Sequence, residues 1–149
     1  ADGGMLDLCP TSRLPRVRAA LDRGATRAGR NAAAVDVTLG LLVCVSDDLQ
    51  AARTAAKAAL AMYGALPFYN QLFQTSGFEQ EAAAFSRGQA QAVSDRMVEE
   101  LALFGPPAHC REQLATFRAA GIQLPIVRPV PVGDQPYALA VRKVIETFA

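Results

Sequence analysis

The chain has 149 residues, which suits one domain of ordinary size. Lys and Arg number 15 against 14 Asp and Glu, so a formal net charge of +1 indicates no polyanionic partner on bulk charge alone. Hydrophobic residues make up 51% of the chain and charged residues 19%, which excludes a disordered chain and favours a helix-rich globular one.

Cysteine content and hydropathy exclude two further classes of protein. The cysteines at positions 9, 44 and 110 are odd in number and far apart, so they predict free buried thiols in a reducing compartment rather than a disulfide framework. No apolar run reaches the roughly 18 residues that a membrane span needs, and no signal-peptide pattern is present. We expect a cytoplasmic protein, and the excess of alanine and arginine suggests a GC-rich bacterial gene.

The first half of the chain predicts two strands, each followed by a helix. Residues 5–9 form a short apolar run typical of a buried strand, and Thr11 or Ser12 is placed to cap the helix that follows. Residues 35–45 are apolar on both faces, which indicates a strand in a parallel sheet covered by helices. Residues 46–48 are then predicted to cap a second helix with hydroxyl and carboxylate oxygens.

The second half predicts several helices, one strand and a last helix. Helices are expected between residues 64 and 104, the last of them with Phe104 on its apolar side. Another helix should begin at the prolines 106–107, followed by a third strand over residues 124–128 and a helix capped by Asp134. This order predicts parallel strands joined by helical crossovers, in a thin sheet with at least one edge in need of a partner.

Several segments along nearly the whole chain resemble one known family in their order and spacing. They are Ala1-Asp2-Gly3, Ala28-Gly29-Arg30, Asp47-Asp48-Leu49-Gln50-Ala51-Ala52-Arg53, Tyr63 with Leu66-Pro67-Phe68-Tyr69, Gly77-Phe78, Val93-Ser94-Asp95-Arg96-Met97-Val98, Phe104-Gly105-Pro106-Pro107, and Ala119-Ala120-Gly121-Ile122 before Pro125-Ile126-Val127. Together they resemble the C-terminal part of the luciferase-like monooxygenases, most closely the deazaflavin-dependent oxidoreductase branch.

The resemblance implies an α/β fold that is the C-terminal segment of a TIM (β/α)8 barrel, with about three parallel strands. A whole barrel takes about 250 residues, so residues 1–149 would be a single unit from a larger barrel domain. The implied activity is hydride transfer between a reduced cofactor and an organic substrate. The implied cofactor is the deazaflavin coenzyme F420, with FMN as the alternative, and the segment alone should be inactive and hold neither tightly.

The missing N-terminal half of the barrel, or a second copy of the chain, is the expected partner. An alternative from another functional class is a small non-catalytic α/β module that associates with another chain. Binding of nucleic acid through the arginines of the first helix is less favoured, because a solvated outer face explains them and no aromatic residues interleave (Arg16, Arg23, Arg27 and Arg30).

Three candidate cofactor-binding residues lie at the predicted carboxyl ends of strands, where barrel active sites are built. Arg128 could pair with an anionic group of cofactor or substrate, although a surface salt bridge is the alternative. Cys9 could approach the cofactor ring and Thr11 could donate to a phosphate, against the alternatives of core packing and helix capping. The sequence predicts no catalytic residue.

Two other features have structural explanations that we prefer. His109 is the only histidine, stands in the first turn of a helix and has no partners at metal-ligand spacing, so no metal site is predicted. An aromatic cluster could be a lid over a site, although core packing is the commoner explanation at this spacing (Tyr63, Phe68, Tyr69, Phe73 and Phe78).

Overall fold

The computed structural model describes residues 3–149, in which parallel strands alternate with helices. In chain order the elements are β1 (Gly3–Asp7), α1 (Leu14–Arg27), β2 (Asp36–Val45), α2 (Leu49–Gly64), α3 (Pro67–Gln74), α4 (Glu79–Ser86), α5 (Asp95–Leu101), β3 (Ala102–Gly105), α6 (Pro107–Ala119), β4 (Leu124–Pro129) and α7 (Tyr137–Phe148). None of these helices is both long and apolar enough to cross a bilayer.

β2 is the centre of the sheet, and every strand pairs with it in parallel. Residues 38–40 pair with both β1 and β4, and residues 42–43 pair with both β3 and β4. A strand has two edges, so β1 and β3 must lie end to end along one edge of β2 while β4 lies along the other. The sheet is therefore three strand positions wide.

β3 is a strand that the sequence pattern assigned wrongly to a helix. The helix prediction ran through Phe104, whereas α5 ends at Leu101 and residues 102–105 pair with the carboxyl end of β2. A run of four buried residues is too short to show strand periodicity, and the spacing of apolar residues continues that of α5. The pairing with β2, a tertiary contact, decides the local structure.

The helix caps follow the prediction at one site only. Asp48 caps α2, since its Oδ1 accepts from the backbone N–H groups of Gln50 and Ala51, each at 3.0 Å. The prediction for α1 was wrong, because its N-cap is Arg13 without a side-chain cap and Ser12 instead donates to Glu100 at 2.6 Å. α7 likewise starts after Pro136 with no side-chain cap.

Helices cover the two faces of the sheet unequally. One face consists of alternate β2 side chains, Val37 to Val45, and is buried along its whole length under α1, α6 and α7. On the other face, Leu42 and Cys44 are buried under α2, α3, α4 and α5. Burial of a leucine side chain contributes roughly 1.5–3 kcal/mol, so both layers stabilise the fold substantially.

The amino-terminal half of the second face is open. Met5 and Leu124 flank Thr38 and are 73% and 58% exposed, and Ile126, opposite Gly40, is 39% exposed. We call these four residues, Met5, Thr38, Leu124 and Ile126, the open face. Among residues 3–149 no strand pairs with the outer edge of β1 or β4. An apolar sheet surface with unpaired edges is the kind that another protein segment covers.

Candidate functional site

An ion pair crosses β2 at the boundary between the open face and the helix-covered half. Asp7, the last residue of β1, lies opposite Gly40, and Arg128 of β4 lies opposite Leu42. Directly opposed residues of a sheet point to the same face. The two charged side chains therefore meet above β2, on the same side as the open face.

Gly40 makes the crossing possible. A Cβ atom at position 40 would lie 2.5 Å from Oδ1 of Asp7 and 3.4 Å from Nη2 of Arg128. The first of these distances is far below any normal contact. The absence of a side chain at Gly40 therefore leaves the space in which the carboxylate lies.

The Asp7–Arg128 pair is bidentate. Nη2 of Arg128 donates to Oδ1 of Asp7 at 2.5 Å, and Nη1 donates to Oδ2 at 3.2 Å. The side chains are 31% exposed for Arg128 and 25% for Asp7, so the pair is only partly shielded from water. Two parallel bonds between a guanidinium and a carboxylate fix the relative orientation of both groups.

Two tyrosines complete the arrangement, and we call the four residues Asp7, Tyr63, Tyr69 and Arg128 the Asp7–Arg128 cluster. The hydroxyl of Tyr69 donates to Oδ2 of Asp7 at 2.6 Å, and the hydroxyl of Tyr63 accepts from Nη1 of Arg128 at 3.2 Å. The hydrogen bond to the Asp7 carboxylate, followed by burial, raises the pKa of Tyr69. Both tyrosines are half-buried.

The corner between α2 and α3 positions these rings. α2 ends at Gly64 and Pro67 starts α3, so Tyr63 and Tyr69 stand on opposite sides of a tight corner. Their ring centroids are 4.8 Å apart in an edge-to-face arrangement, and the Arg128 guanidinium carbon lies 5.4 Å from the Tyr63 centroid. Phe68 packs edge-to-face against Tyr69 at 5.2 Å and is 70% exposed. An aromatic rim thus borders the ion pair.

The structure separates the three predicted cofactor-binding residues. Arg128 belongs to the cluster, but Cys9 is 4% exposed and packs with Leu14 on the fully covered face of the sheet. Burial raises the pKa of the Cys9 thiol, which donates to the Pro10 carbonyl. Thr11 is half-buried at the start of a 3-10 turn. β1 ends at Asp7, two residues before the predicted end, which is why Cys9 lies beyond the strand.

Asp7 is the residue of the cluster that the sequence analysis missed. The signal was present, because a carboxylate inside a short apolar strand needs a cationic or hydrogen-bonding partner. Arg128 stands inside another predicted strand, and its guanidinium likewise needs an anionic or hydrogen-bonding partner. Tyr63 and Tyr69 were noted only as members of an aromatic cluster, and their hydroxyl partners depend on the α2–α3 corner.

The other cysteines and the histidine of residues 3–149 form no metal-binding arrangement. Burial raises the pKa of Cys44 to about 12 and that of Cys110 to about 11, so both thiols are protonated at neutral pH. The rings of His109 and Phe104 pack nearly perpendicular to each other, with centroids 5.8 Å apart. Within residues 3–149, no group of three or more His, Cys, Asp or Glu side chains is placed to hold a metal ion.

Comparison with known proteins shows the family and the fold to which this chain belongs. Residues 1–124 match the luciferase-like monooxygenase family. The structure of the coenzyme F420 dependent tetrahydromethanopterin reductase of Methanopyrus kandleri aligns with 100% of this chain, with a TM-score of 0.71 and 20% sequence identity. The structure of an F420-dependent secondary alcohol dehydrogenase in complex with an F420-acetone adduct aligns with 99% of the chain, with a TM-score of 0.71 and 15% identity. A monooxygenase of Streptomyces bottropensis aligns with a TM-score of 0.54 at 22% identity over 96%. No curated protein sequence matches the chain.

These alignments show a partial barrel. The chain spans 46%, 42% and 39% of the three structures, less than half of each. In a parallel barrel the crossover helices form the outer ring, so the face under α1 and α6 is the outside and the face carrying the Asp7–Arg128 cluster is the inside. The expected fold class is confirmed. On the match over residues 1–124, the chain belongs to the luciferase-like monooxygenase family.

Proposed function

We propose that this chain supplies the last three strand positions of an oxidoreductase barrel that transfers hydride between a reduced cofactor and a small organic substrate. The Asp7–Arg128 cluster is the observation that carries this proposal. It is a built polar group on the inner face of the sheet, at the border of the half that α2 and α3 cover. Active sites of barrel enzymes occupy the carboxyl-terminal side of the strands.

Coenzyme F420 is the cofactor that we favour, and FMN is the alternative. Two of the structural neighbours are F420-dependent proteins, which supports the deazaflavin. The aromatic rim formed by Phe68, Tyr63 and Tyr69 beside the open apolar face fits the edge of a planar ring. When bound, such a ring supplies or accepts the hydride.

The chain's own residues would bind the cofactor and orient it. Arg128, held by Asp7, presents hydrogen-bond donors at the border of the inner face, and the rim residues would contact the edge of a bound ring from that side. We retain Arg128, Cys9 and Thr11 as proposed cofactor-binding residues, with Cys9 requiring a local repacking before any ligand could touch it.

The open face implies that activity needs the rest of the barrel. Met5, Leu124 and Ile126 would be covered by the N-terminal strands of a complete domain, whether these belong to the same polypeptide or to another chain. The chain alone, with its inner face in water, would neither hold the cofactor tightly nor turn over substrate.

Cofactor titration tests this proposal. Coenzyme F420 is titrated by its fluorescence into the chain alone and into the chain joined to the N-terminal half of a luciferase-like barrel. We expect saturable binding only in the joined protein, at least tenfold weakened by Arg128→Ala, because hydrogen bonds to charged groups contribute about 1.5–3 kcal/mol. Arg142→Ala, an exposed arginine of α7, is the matched control and should bind normally. Failure of the joined protein to bind either coenzyme F420 or FMN would contradict the proposal.

The non-catalytic module remains the second candidate, because the open face and unpaired edges would also suit a partner chain with no chemistry of its own. The same titration separates the two. A module would form a stable complex with its partner, measured by light scattering, and the complex would bind neither cofactor.

A further inference from the structure

The backbone kinks at Leu8, directly after β1. Its φ of +45° lies in the left-handed region, and no other non-glycine residue among residues 3–149 has a positive φ. A bulky residue in this region is uncommon and strained, and it persists only where the surrounding structure enforces it. Leu8 is fully buried, so the cause of the kink must lie in its packing or in the pairing of β1.

The kink exchanges the faces to which two neighbouring side chains belong. Successive side chains of a regular strand point to opposite faces of the sheet. Leu6 packs against the outer layer, so in a regular strand Leu8 would also point outward and Cys9 would point inward. In the structure Leu8 lies in the inner layer with Leu42, and Cys9 lies in the outer layer.

The first residue of β3 explains why β1 does not continue straight. Extended by two residues in its present register, β1 would place Cys9 opposite Leu42. Ala102 already occupies the position opposite Leu42, on the same edge of β2. Pro10 has no N–H group to donate to a ladder, so it would end any longer extension. The two strands therefore compete for one pairing position.

Ala102 can leave this position with the loss of a single pair. Its backbone N–H donates to the carbonyl of Val98, the bond of an α-helix, so Ala102 already continues α5 on its amino-terminal side. Alanine also has the highest helix propensity. Its release would remove one of the four residue pairs between β3 and β2. The sequence pattern favours the same rearrangement, since it predicts a strand through residue 9 and a helix beyond residue 101.

We propose that the end of β1 is a two-position switch, in which Ala102 and Cys9 alternate opposite Leu42. In the kinked position, which the structure shows, Leu8 fills the inner layer. In the straight position Leu8 turns to the outer layer, Cys9 takes its place, and Ala102 joins α5. The exchange puts a smaller side chain into the inner layer next to Asp7, so the straight position opens an apolar space there. This inference stands on packing and pairing and does not depend on the proposed function.

Relaxation dispersion NMR of this chain tests the switch, because it detects minor states that exchange within microseconds to milliseconds. We expect Leu8, Cys9 and Ala102 to exchange at one common rate, with an extended-residue Cα shift for Leu8 in the minor state. Leu8→Val should raise the ratio of straight to kinked molecules about tenfold, because β-branched residues strongly disfavour positive φ. Leu6→Val, the same change at a regular position of β1, is the matched control and should leave the ratio unchanged.

Two further variants test the competition with β3. Ala102→Val favours a strand over a helix at position 102, so it should lower the ratio at Leu8 about threefold, whereas a kink of purely local origin would not respond. Leu8→Gly should abolish the exchange at Ala102, because glycine adopts positive φ without strain. Exchange at Leu8 that ignores Ala102→Val, or a single state in both the wild type and Leu8→Val, would overturn the proposal.

Xenon tests the space that the switch opens. Xenon enters dry apolar cavities in proteins, so xenon pressure should raise the ratio of straight to kinked molecules in the wild type. The rise should be absent in Leu8→Gly, which stays kinked. A wild-type ratio that does not change with xenon pressure would overturn the assignment of an apolar space to the straight position.

Discussion

Substitution of Gly40 by alanine should destabilise the protein through the Asp7–Arg128 pair alone. The new Cβ would lie 2.5 Å from Oδ1 of Asp7, and ordinary contact at about 3.4 Å requires the carboxylate to move by roughly 0.9 Å. That shift lengthens the 2.5 Å bond between Nη2 of Arg128 and Oδ1 to as much as about 3.4 Å, at which it is weak.

The expected loss of unfolding free energy follows from the hydrogen bonds between Asp7 and Arg128 that the substitution weakens. A hydrogen bond to a charged group contributes about 1.5–3 kcal/mol, and the partial exposure of both side chains reduces this value. We therefore expect Gly40→Ala to lower the free energy of unfolding by about 1–2 kcal/mol, measured by urea denaturation followed by far-UV circular dichroism.

Gly24→Ala is the matched control. Gly24 lies inside α1, and a methyl group added there would meet no atom within 4 Å, so alanine should stabilise the helix by about 0.5–1 kcal/mol. In an Asp7→Ala background the cost of Gly40→Ala should disappear, because the clashing carboxylate is gone. A Gly40→Ala variant as stable as the wild type, or an unchanged cost without Asp7, would refute the reasoning.

Three further predictions concern packing, titration and thiol access. Gly64→Ala should cost about 1–3 kcal/mol by urea denaturation, because its Cβ would overlap the Phe85 ring where α2 packs on α4; no loss would show that α4 moves freely. The raised pKa of Tyr69 implies a contribution to stability that is complete below about pH 10 and lost as pH rises through the folded-state pKa. Tyr69→Phe should therefore flatten the alkaline stability loss and remove one tyrosine of raised pKa from an ultraviolet titration. Cys44 and Cys110, with pKa values of about 12 and 11, should resist a thiol reagent at pH about 8 until urea unfolds the chain, and fast labelling of the native protein would contradict their burial.

The Asp7–Arg128 cluster shows how far local patterns reach. Arg128 could be selected from the sequence because a charged residue stands at the end of an apolar strand. Its partner could not, since Asp7 and Arg128 are 121 positions apart and meet only because both strands flank β2 in a particular register. The role of Gly40 depends on the same register, because a glycine in a strand has no visible purpose until the side chains that cross it are known.

Periodicity and composition by themselves determined the alternation of strands and helices, the strand over residues 35–45 that is buried on both faces, and a cap from residues 46–48. The resemblance of segments in order along the chain determined the family. These properties depend on neighbours within a few residues or on segments in linear order, both of which a sequence displays directly. Tertiary structure alone decided that residues 102–105 form a strand, that Cys9 faces the outer core, and that two tyrosines bind one ion pair. Each of these depends on contacts between distant segments, whose free energy outweighs local preference.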